Sequence, residues 1–118
     1  MLIHRRALLS VLGTGTTMTS VKLDVVPLFA TGPVCMTQGT HHLYLENRLD
    51  VTALLRRHVT GDWQEMVPED QQSNVEAVKE GLRVFSSFAL QDCAESDKVW
   101  VITEADRSST TILFPSEY

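Results

Sequence analysis

The C-terminal third of the chain alternates between apolar runs and short polar stretches, which predicts three strands. The runs at 83–90, 98–104 and 110–114 are rich in β-branched and aromatic residues, which favour strands. The polar connections at 91–97 and 105–109 are shorter than the dozen or more residues that a parallel crossover needs. We therefore expect an antiparallel three-stranded meander, with Trp100 in its second strand as an anchor of the core.

The middle of the chain carries apolar residues at helical spacing, which predicts two helices. The first begins after Asp50, a favourable N-cap residue, and ends at Gly61, which suits the left-handed position after a helix. Its apolar stripe comprises Val51, Leu54, Leu55, His58 and Val59. Because His58 continues this stripe, we expect a histidine at the edge of the core whose ring bonds to backbone, rather than a catalytic base.

The second predicted helix starts at Pro68, which is tolerated in a first turn, and stops at Gly81. Its apolar face comprises Gln71, Val75, Val78 and Leu82. So thin a stripe indicates a helix on the surface. In the connection before this helix, Trp63 is expected to anchor the core, because an indole ring carries a large apolar area.

The N-terminal residues give weaker signals. Arg5 and Arg6 precede a short apolar run at 7–12 that superficially resembles a signal peptide, but no cleavage pattern follows it. We expect residues 1–17 to be a dispensable, disordered leader or an upstream extension before a start at Met18. A weak signal sequence is the alternative. Residues 18–118 then form a single domain.

Residues 21–46 predict one short strand at 21–26, which Pro27 interrupts, and then turns and a short alternating run at 43–47. His41 and His42 precede this run. Adjacent side chains diverge on either a strand or a helix, and no partner at a metal-ligand spacing is visible. We therefore expect a surface or half-buried pair and no metal site.

Length and charge narrow the class of protein. The 118 residues fit one α+β domain, in which two helices pack on a small antiparallel sheet ending in the C-terminal meander. The net charge of −5 argues against nucleic acid as a partner and suits docking on a basic protein. No run of about 20 apolar residues exists to span a membrane.

The cysteines and short motifs indicate neither a metal nor a cofactor. Cys35 and Cys93 match no metal-ligand spacing and fit thiols of a reducing cytoplasm. No phosphate-binding loop, dinucleotide fingerprint or zinc-protease motif is present. We therefore expect no cofactor.

The polar stretch between the last two predicted strands is the candidate functional site, and three interpretations compete. As a plain turn, Asp106 and Ser108 bond nearby backbone. Glu104 and Arg107 then form an exposed ion pair. As a binding surface, the four residues face a partner protein. As the catalytic site of a small ribonuclease, His58 or Glu104 is the base and Arg107 binds phosphate, although the acidic charge opposes an RNA substrate.

Three stretches resemble a known family: RRHVTGDW, KEGLRVFSSF and KVWVITEADRSSTTILFPSEY. They are similar to short proteins described as plasmid-related or hypothetical, which plasmids and integrative elements of proteobacteria carry. The family pattern has arginine–histidine, Gly-Asp-Trp, an acidic helix ending in glycine, then W-[VI]-I-T-E-A-D-R-S and a terminal P-x-E-Y. The resemblance spans about 52–118, whereas HHLYLENRLD departs from the pattern.

The resemblance implies an accessory role on mobile DNA, and cargo of this kind includes inhibitors of host defence. It brings no biochemical activity and assigns no residue. We therefore expect a non-enzymatic cytoplasmic protein that binds a host- or element-encoded protein. A small ribonuclease-like enzyme and a structural or oligomerising module are the alternatives, and the oligomeric state is left open.

Overall fold

The structure, a computed structural model, describes residues 17–18 and 23–118, and it confirms the α+β class. The strands of this part are β1 (Thr17–Met18), β2 (Val34–Met36), β3 (Val84–Ala89), β4 (Lys98–Thr103) and β5 (Thr110–Leu113). Its helices are α1 (Gln38–Leu45), α2 (Val51–Thr60) and α3 (Pro68–Glu80), and a 3₁₀ turn spans Pro115–Glu117. Apart from β1, the expectations about a leader at 1–17 fall outside the described residues.

The strands form one mixed sheet in the order β1-β2-β5-β4-β3, in which the two-residue β1 adds to the edge of the other four. The predicted meander is present, because β3 pairs antiparallel with β4 and β4 with β5. The expectation of an antiparallel sheet throughout is wrong, since β2 pairs parallel with β5 and places Cys35 opposite Thr111. This pairing is possible because all three helices and two strands lie between β2 and β5 in sequence.

Helices α2 and α3 begin and end where their capping residues predict. The Asp50 carboxylate accepts a hydrogen bond of 3.0 Å from the N–H of Ala53 at the start of α2. Gly61 ends α2 with φ of 76°, and Gly81 ends α3 with φ of 67°. Pro68 is the first residue of α3.

Helix α1 was not predicted from the sequence, and the expected count of two helices is therefore wrong. Its first turn is capped by Glu117, whose carboxylate accepts hydrogen bonds from Thr37 Oγ1 at 2.5 Å and from the Gly39 N–H at 2.7 Å. The same carboxylate accepts the Phe114 N–H at 3.1 Å. Gly39 leaves room for this contact, because a Cβ there would lie 2.8 Å from the Phe114 ring.

The three helices cover one face of the sheet and enclose the core between them. α1 contacts β2 and β5, α2 contacts β4, and α3 contacts β3. α3 lies on the surface as expected, and of the predicted apolar face Val78 packs against the core. The other part of that face is wrong: Asn74 and Ala77 are buried, whereas Val75 is 37 % and Leu82 53 % exposed. Asn74 is buried because its side-chain amide pairs with the backbone N–H and C=O of Phe85 on β3, at 3.0 and 2.7 Å.

The two tryptophans lie on different faces of the sheet. Trp63 is buried with Val59, Ala77 and Val84 on the helix-bearing face, as predicted. Trp100 is only half-buried on the opposite face, where its ring contacts Phe85 and Tyr118, so its place in the core is not confirmed. This follows from the register, in which alternate residues of β4 face opposite ways.

The described residues also bear on the predicted strand at 21–26, on the histidine pair and on the two cysteines. Residues 23–26 form no strand, and residues 21–22 of the predicted strand lie outside the described part. His41 is half-buried and His42 exposed, as expected for that pair. Cys35 is buried, Cys93 is half-buried, and no disulfide joins them. No helix in the described part of the chain is long and apolar enough to cross a membrane.

Candidate functional site: the hairpin tip and the buried histidine

The tip between β4 and β5 is fixed to the end of α3 by Arg107. The guanidinium of Arg107 donates hydrogen bonds to three backbone carbonyls: Leu82 at 2.6 Å, Ala77 at 3.2 Å and Glu104 at 3.2 Å. Its central carbon also lies 5.4 Å from the centre of the Phe29 ring. A cation that bonds the last carbonyls of a helix stabilises the helix terminus, so Arg107 has a structural role here.

Asp106 and Ser108 are exposed and form the outer part of the tip. The Asp106 carboxylate accepts a 3.0 Å hydrogen bond from the Ser108 N–H, which is the turn contact that the sequence predicts. Hydrogen bonding by Ser108, from its side chain and its backbone, lowers the pKa of Asp106 below its usual value. The tip therefore presents a negative charge next to a hydroxyl group.

Glu104 does not pair with Arg107 as the sequence suggested. Its carboxylate lies 3.6 Å from the guanidinium of Arg83, while Arg107 bonds only its backbone carbonyl. The expected ion pair across the turn is therefore wrong. The physical reason is that the carbonyls at the end of α3 occupy the Arg107 guanidinium, whereas Arg83 and Glu104 flank the paired residues Val84 and Thr103 at one end of the β3–β4 ladder.

His58 lies inside the molecule at 0 % exposure and takes part in a chain of side-chain hydrogen bonds. Its Nδ1 lies 2.5 Å from Ser86 Oγ and its Nε2 lies 2.8 Å from Thr103 Oγ1. At one end of the chain, the Trp63 indole donates to Ser86 at 2.8 Å. At the other end, Thr103 contacts Thr110 at 2.6 Å, and Thr110 donates to the Thr31 carbonyl at 2.8 Å.

The two ends of this chain fix the direction of every proton in it. The Trp63 indole can only donate and the Thr31 carbonyl can only accept. All groups between them are satisfied when the Ser86 hydroxyl donates to Nδ1 of His58, and Nε2–H of His58 donates to Thr103. His58 is then the neutral tautomer that carries its proton on Nε2. Each hydroxyl of this series of hydrogen bonds, on Ser86, Thr103 and Thr110, then donates one hydrogen bond and accepts another.

The surroundings of His58 strongly oppose protonation. Burial, and secondarily the positive charge of Arg107, lower the pKa of His58 to about 3. The sequence placed this histidine at the core edge with backbone partners, and both points need correction: the ring lies in the interior and bonds hydroxyl groups. The sequence did contain a usable signal, because Ser86 and Thr103 occupy inward positions of their predicted strands, where a polar group needs a partner.

The structure does not bring the proposed catalytic residues to a common surface. His58 lies on α2 and packs against the helix-bearing face of the sheet, whereas Glu104 follows Thr103 and faces the opposite side of the sheet. Arg107 is close enough to affect the pKa of His58, but Leu82, Ala77 and Glu104 carbonyls occupy its guanidinium. As a set, His58, Glu104 and Arg107 therefore offer no shared contact to a substrate.

A separate cleft of about 310 Å³ lies between the end of α1 and the start of α2 and contains none of the candidate residues. It is lined by Tyr44, Asn47, Leu49, Asp50, Val51 and Thr52. Within the described residues, no three His, Cys, Asp or Glu side chains come together in a way that could hold a metal ion.

Comparisons with protein-family models, curated proteins and solved structures found no match for this chain.

Proposed function

We propose that this protein is a non-enzymatic accessory protein of a mobile genetic element, which acts in the cytoplasm by binding a host- or element-encoded protein. Inhibition of a host defence protein is the role that such a setting favours. The resemblance of the C-terminal stretch to plasmid-related proteins motivates the setting. The geometry of the hairpin tip supports the mode of action.

The observation that carries the proposal is the way in which the tip is held. Arg107 fixes it to the end of α3 through the Ala77 and Leu82 carbonyls, and the Thr110 N–H donates to the Pro33 carbonyl at 3.0 Å behind it. Asp106 and Ser108 nevertheless stay exposed. A surface that is already ordered loses little conformational entropy when a partner binds, which favours affinity.

An exposed apolar side chain lies beside the tip and adds to the proposed interface. Leu82 is 53 % exposed, and its own carbonyl accepts the shortest of the Arg107 hydrogen bonds. An interface typically combines an apolar centre with a charged rim. In this surface Leu82 supplies the apolar group and Asp106 supplies the negative charge, whereas the Glu104 side chain is only 20 % exposed and lies 3.6 Å from the guanidinium of Arg83. With a net charge of −5, the protein favours a partner with a basic patch.

The two alternatives receive less support. A ribonuclease needs a base that reaches the substrate, and His58 is sealed inside with its acceptor nitrogen occupied by Ser86. An oligomerising module that pairs strands needs an open edge. At β3, Asn74 blocks both backbone groups of Phe85, and the Glu65 carboxylate accepts the Ala89 N–H at 2.7 Å.

The proposal can be tested by capturing partners from a host lysate with the tagged protein and its variants. We expect Asp106→Ala/Ser108→Ala and Leu82→Ser to lose a partner that the unchanged protein retains. Asp70→Ala and Leu45→Ser are matched controls, because Asp70 is an exposed acid and Leu45 a 65 % exposed leucine away from the tip. The complex is then rebuilt from the two purified proteins, and its affinity is measured at several salt concentrations.

Loss of binding counts only where the variant melts within a few degrees of the unchanged protein. Equal retention of the partner by the tip variants and the controls would remove the tip from the proposal. Purified protein is also incubated with labelled RNA, and we expect no cleavage. Reproducible cleavage that disappears in His58→Gln at retained fold would replace the binding proposal with the ribonuclease.

A further inference from the structure

The apolar row that the sequence marks on α3 is not the face by which this helix packs on the sheet. At about 100° per residue, Gln71, Val75 and Val78 fall within about 60° of one another around the helix axis. The buried residues Asn74 and Ala77 are centred about 100° away from this row. Val78, at the inner edge of the row, reaches the core, whereas Val75 is 37 % exposed. Packing on the sheet therefore leaves the outer part of the row accessible.

Two further exposed apolar residues stand at the two ends of α3. Val67 is the N-cap residue and is 55 % exposed. Leu82 follows the C-cap glycine and is 53 % exposed, and its N–H donates to the Ala77 carbonyl at 2.9 Å, which keeps it against the last turn. The helix between them has 13 residues and is about 20 Å long. We call Val67, Val75, Val78 and Leu82 the α3 face.

The exposed polar surface of α3 is mainly acidic. Lys79 is the one cation of the helix, and its acids, all exposed, are Glu69, Asp70, Glu76 and Glu80. The helix thus carries −3 of the net charge of −5 of the chain. Glu76 and Glu80 lie on the solvent side beyond Val75, whereas Asp70 falls in line with the buried residues of the helix. Two copies of this surface would repel each other, so we expect a partner of opposite charge.

The partner element that fits this surface is a helix. A strand adds to a sheet only where an edge offers open backbone groups. Next to α3, the Asn74 amide occupies the N–H and C=O of Phe85, and the Glu65 carboxylate occupies the N–H of Ala89. A helix instead offers side chains at i, i+4 and i+7, which pack along a ridge of this length. Lysine or arginine side chains at its flanks are long enough to reach the acids beside the ridge.

We propose that the α3 face binds an amphipathic helix of the partner protein, and that the flanks of this helix are basic. The inference rests on the proposed function, because it names the element of the partner that docks and extends the hairpin-tip surface along α3 through Leu82. Apolar side chains of the partner helix contact Val75 and Leu82. Its basic side chains face Glu76 and Glu80.

The direct test is a titration of the methyl-labelled full chain with a synthetic peptide of about 18 residues, an amphipathic helix of about five turns with leucines on one face and lysines at its flanks. One control peptide has the same composition in scrambled order, and the other has glutamate in place of lysine. We expect saturable binding with shifts at the methyl groups of Val75, Val78 and Leu82, and at least about tenfold weaker binding of both controls. Absence of saturable binding, or no shift at these methyl groups, would overturn the proposal.

Three variants separate the apolar part of the interaction from the charged part. Val75→Ser should weaken peptide binding by about tenfold, because burial of the exposed part of a valine is worth roughly that factor. Glu76→Gln/Glu80→Gln should weaken binding and reduce its dependence on salt. Lys79→Gln should strengthen binding, since it removes the positive charge beside Val75. Unchanged affinity in Val75→Ser would refute the docking of an apolar helix face.

Leu45→Ser and Glu46→Gln are matched controls at the end of α1, which contacts β2 and β5, whereas α3 contacts β3. Both should bind the peptide like the unchanged protein, and affinities are compared only between variants that melt within a few degrees of it. If the controls weakened binding as much as the α3 variants do, the attraction would be unspecific and the inference would fail.

The complex with the partner, rebuilt for the proposed function, distinguishes this inference from that function. Loss of the complex in both Asp106→Ala/Ser108→Ala and Val75→Ser supports both. Loss in the tip variant alone would refute the docked helix and leave the binding function in place. Self-association of the free protein in sedimentation that Val75→Ser abolishes would also overturn the inference, in favour of a second copy on this face.

Discussion

Removal of the buried imidazole by His58→Gln should reveal how much of the stability of this domain depends on a neutral histidine. At pH 7 the substitution breaks one of the two hydrogen bonds of the ring and its edge-on contact with Phe29 at 5.0 Å. A hydroxyl of Ser86 or Thr103 then stays buried without its partner. Such a defect costs about 1–3 kcal/mol, and lost packing brings the expected loss to roughly 2–4 kcal/mol.

The pH dependence gives a sharper expectation than the loss at pH 7. Between pH 6.5 and about 3, His58 is protonated in the unfolded chain but neutral in the folded one. The unfolded state therefore binds one more proton, and the free energy of unfolding decreases as the pH falls through this window. At about 1.4 kcal/mol per pH unit, the contribution of His58 that is lost by pH 3 is roughly 5 kcal/mol.

Urea unfolding at pH 7, 6, 5 and 4, followed by tryptophan fluorescence, measures this difference. His58→Gln lacks the titrating group, so the gap in stability between the variant and the unchanged protein should narrow as the pH falls. Comparing the two proteins cancels the contribution of the carboxylates. Gln72→Ala, at an exposed residue without a titratable group, is the control and should keep the original pH dependence. A parallel pH dependence for His58→Gln would refute the buried neutral tautomer.

Two further predictions concern the edge of the sheet and the tryptophans. Asn74→Ala should cost about 1–3 kcal/mol and cause association that depends on protein concentration, because it exposes the Phe85 backbone on β3. Sedimentation checks this against Ser73→Ala, and a stable monomer would contradict it. Trp63→Ala should cost about 3–5 kcal/mol and clearly more than Trp100→Ala, since only the first ring is buried in the helix-bearing core. Equal losses in urea unfolding would count against this.

The elements that the sequence predicts well are those whose signals are local. Asp50 and Gly61 mark α2 from within a few residues of its ends, as Pro68 and Gly81 mark α3. Helix α1 was missed because its signals are not local. Only Thr40 and Leu43 of α1 are buried, and the carboxylate that caps it comes from a residue 78 positions away. The parallel pairing of β2 with β5 was missed for the same reason.

At the candidate site, the sequence predicts the hydrogen bond within the turn but not the contacts that Arg107 and His58 make with distant residues. The bond from the Ser108 N–H to Asp106 spans two residues and could be predicted. The contacts of Arg107 with Ala77 and Leu82 join two elements whose packing the sequence does not specify. The same holds for His58, whose partners Ser86 and Thr103 are on two neighbouring strands. Polar residues at inward strand positions were the available hint.

The capping of α1 by Glu117 has a consequence for the order in which the chain is made and folded. Strand β2 and helix α1 leave the ribosome early, but β5 and Glu117, which complete them, are synthesised much later, Glu117 by 78 residues relative to Gly39. Contacts between such distant positions form slowly because a long loop must close first. Strand β2 and helix α1 therefore stay incompletely folded until β5 and Glu117 have been synthesised. During that time they are accessible to chaperones and proteases. A premature stop just before Glu117 would thus destabilise helix α1, which lies in the first half of the sequence.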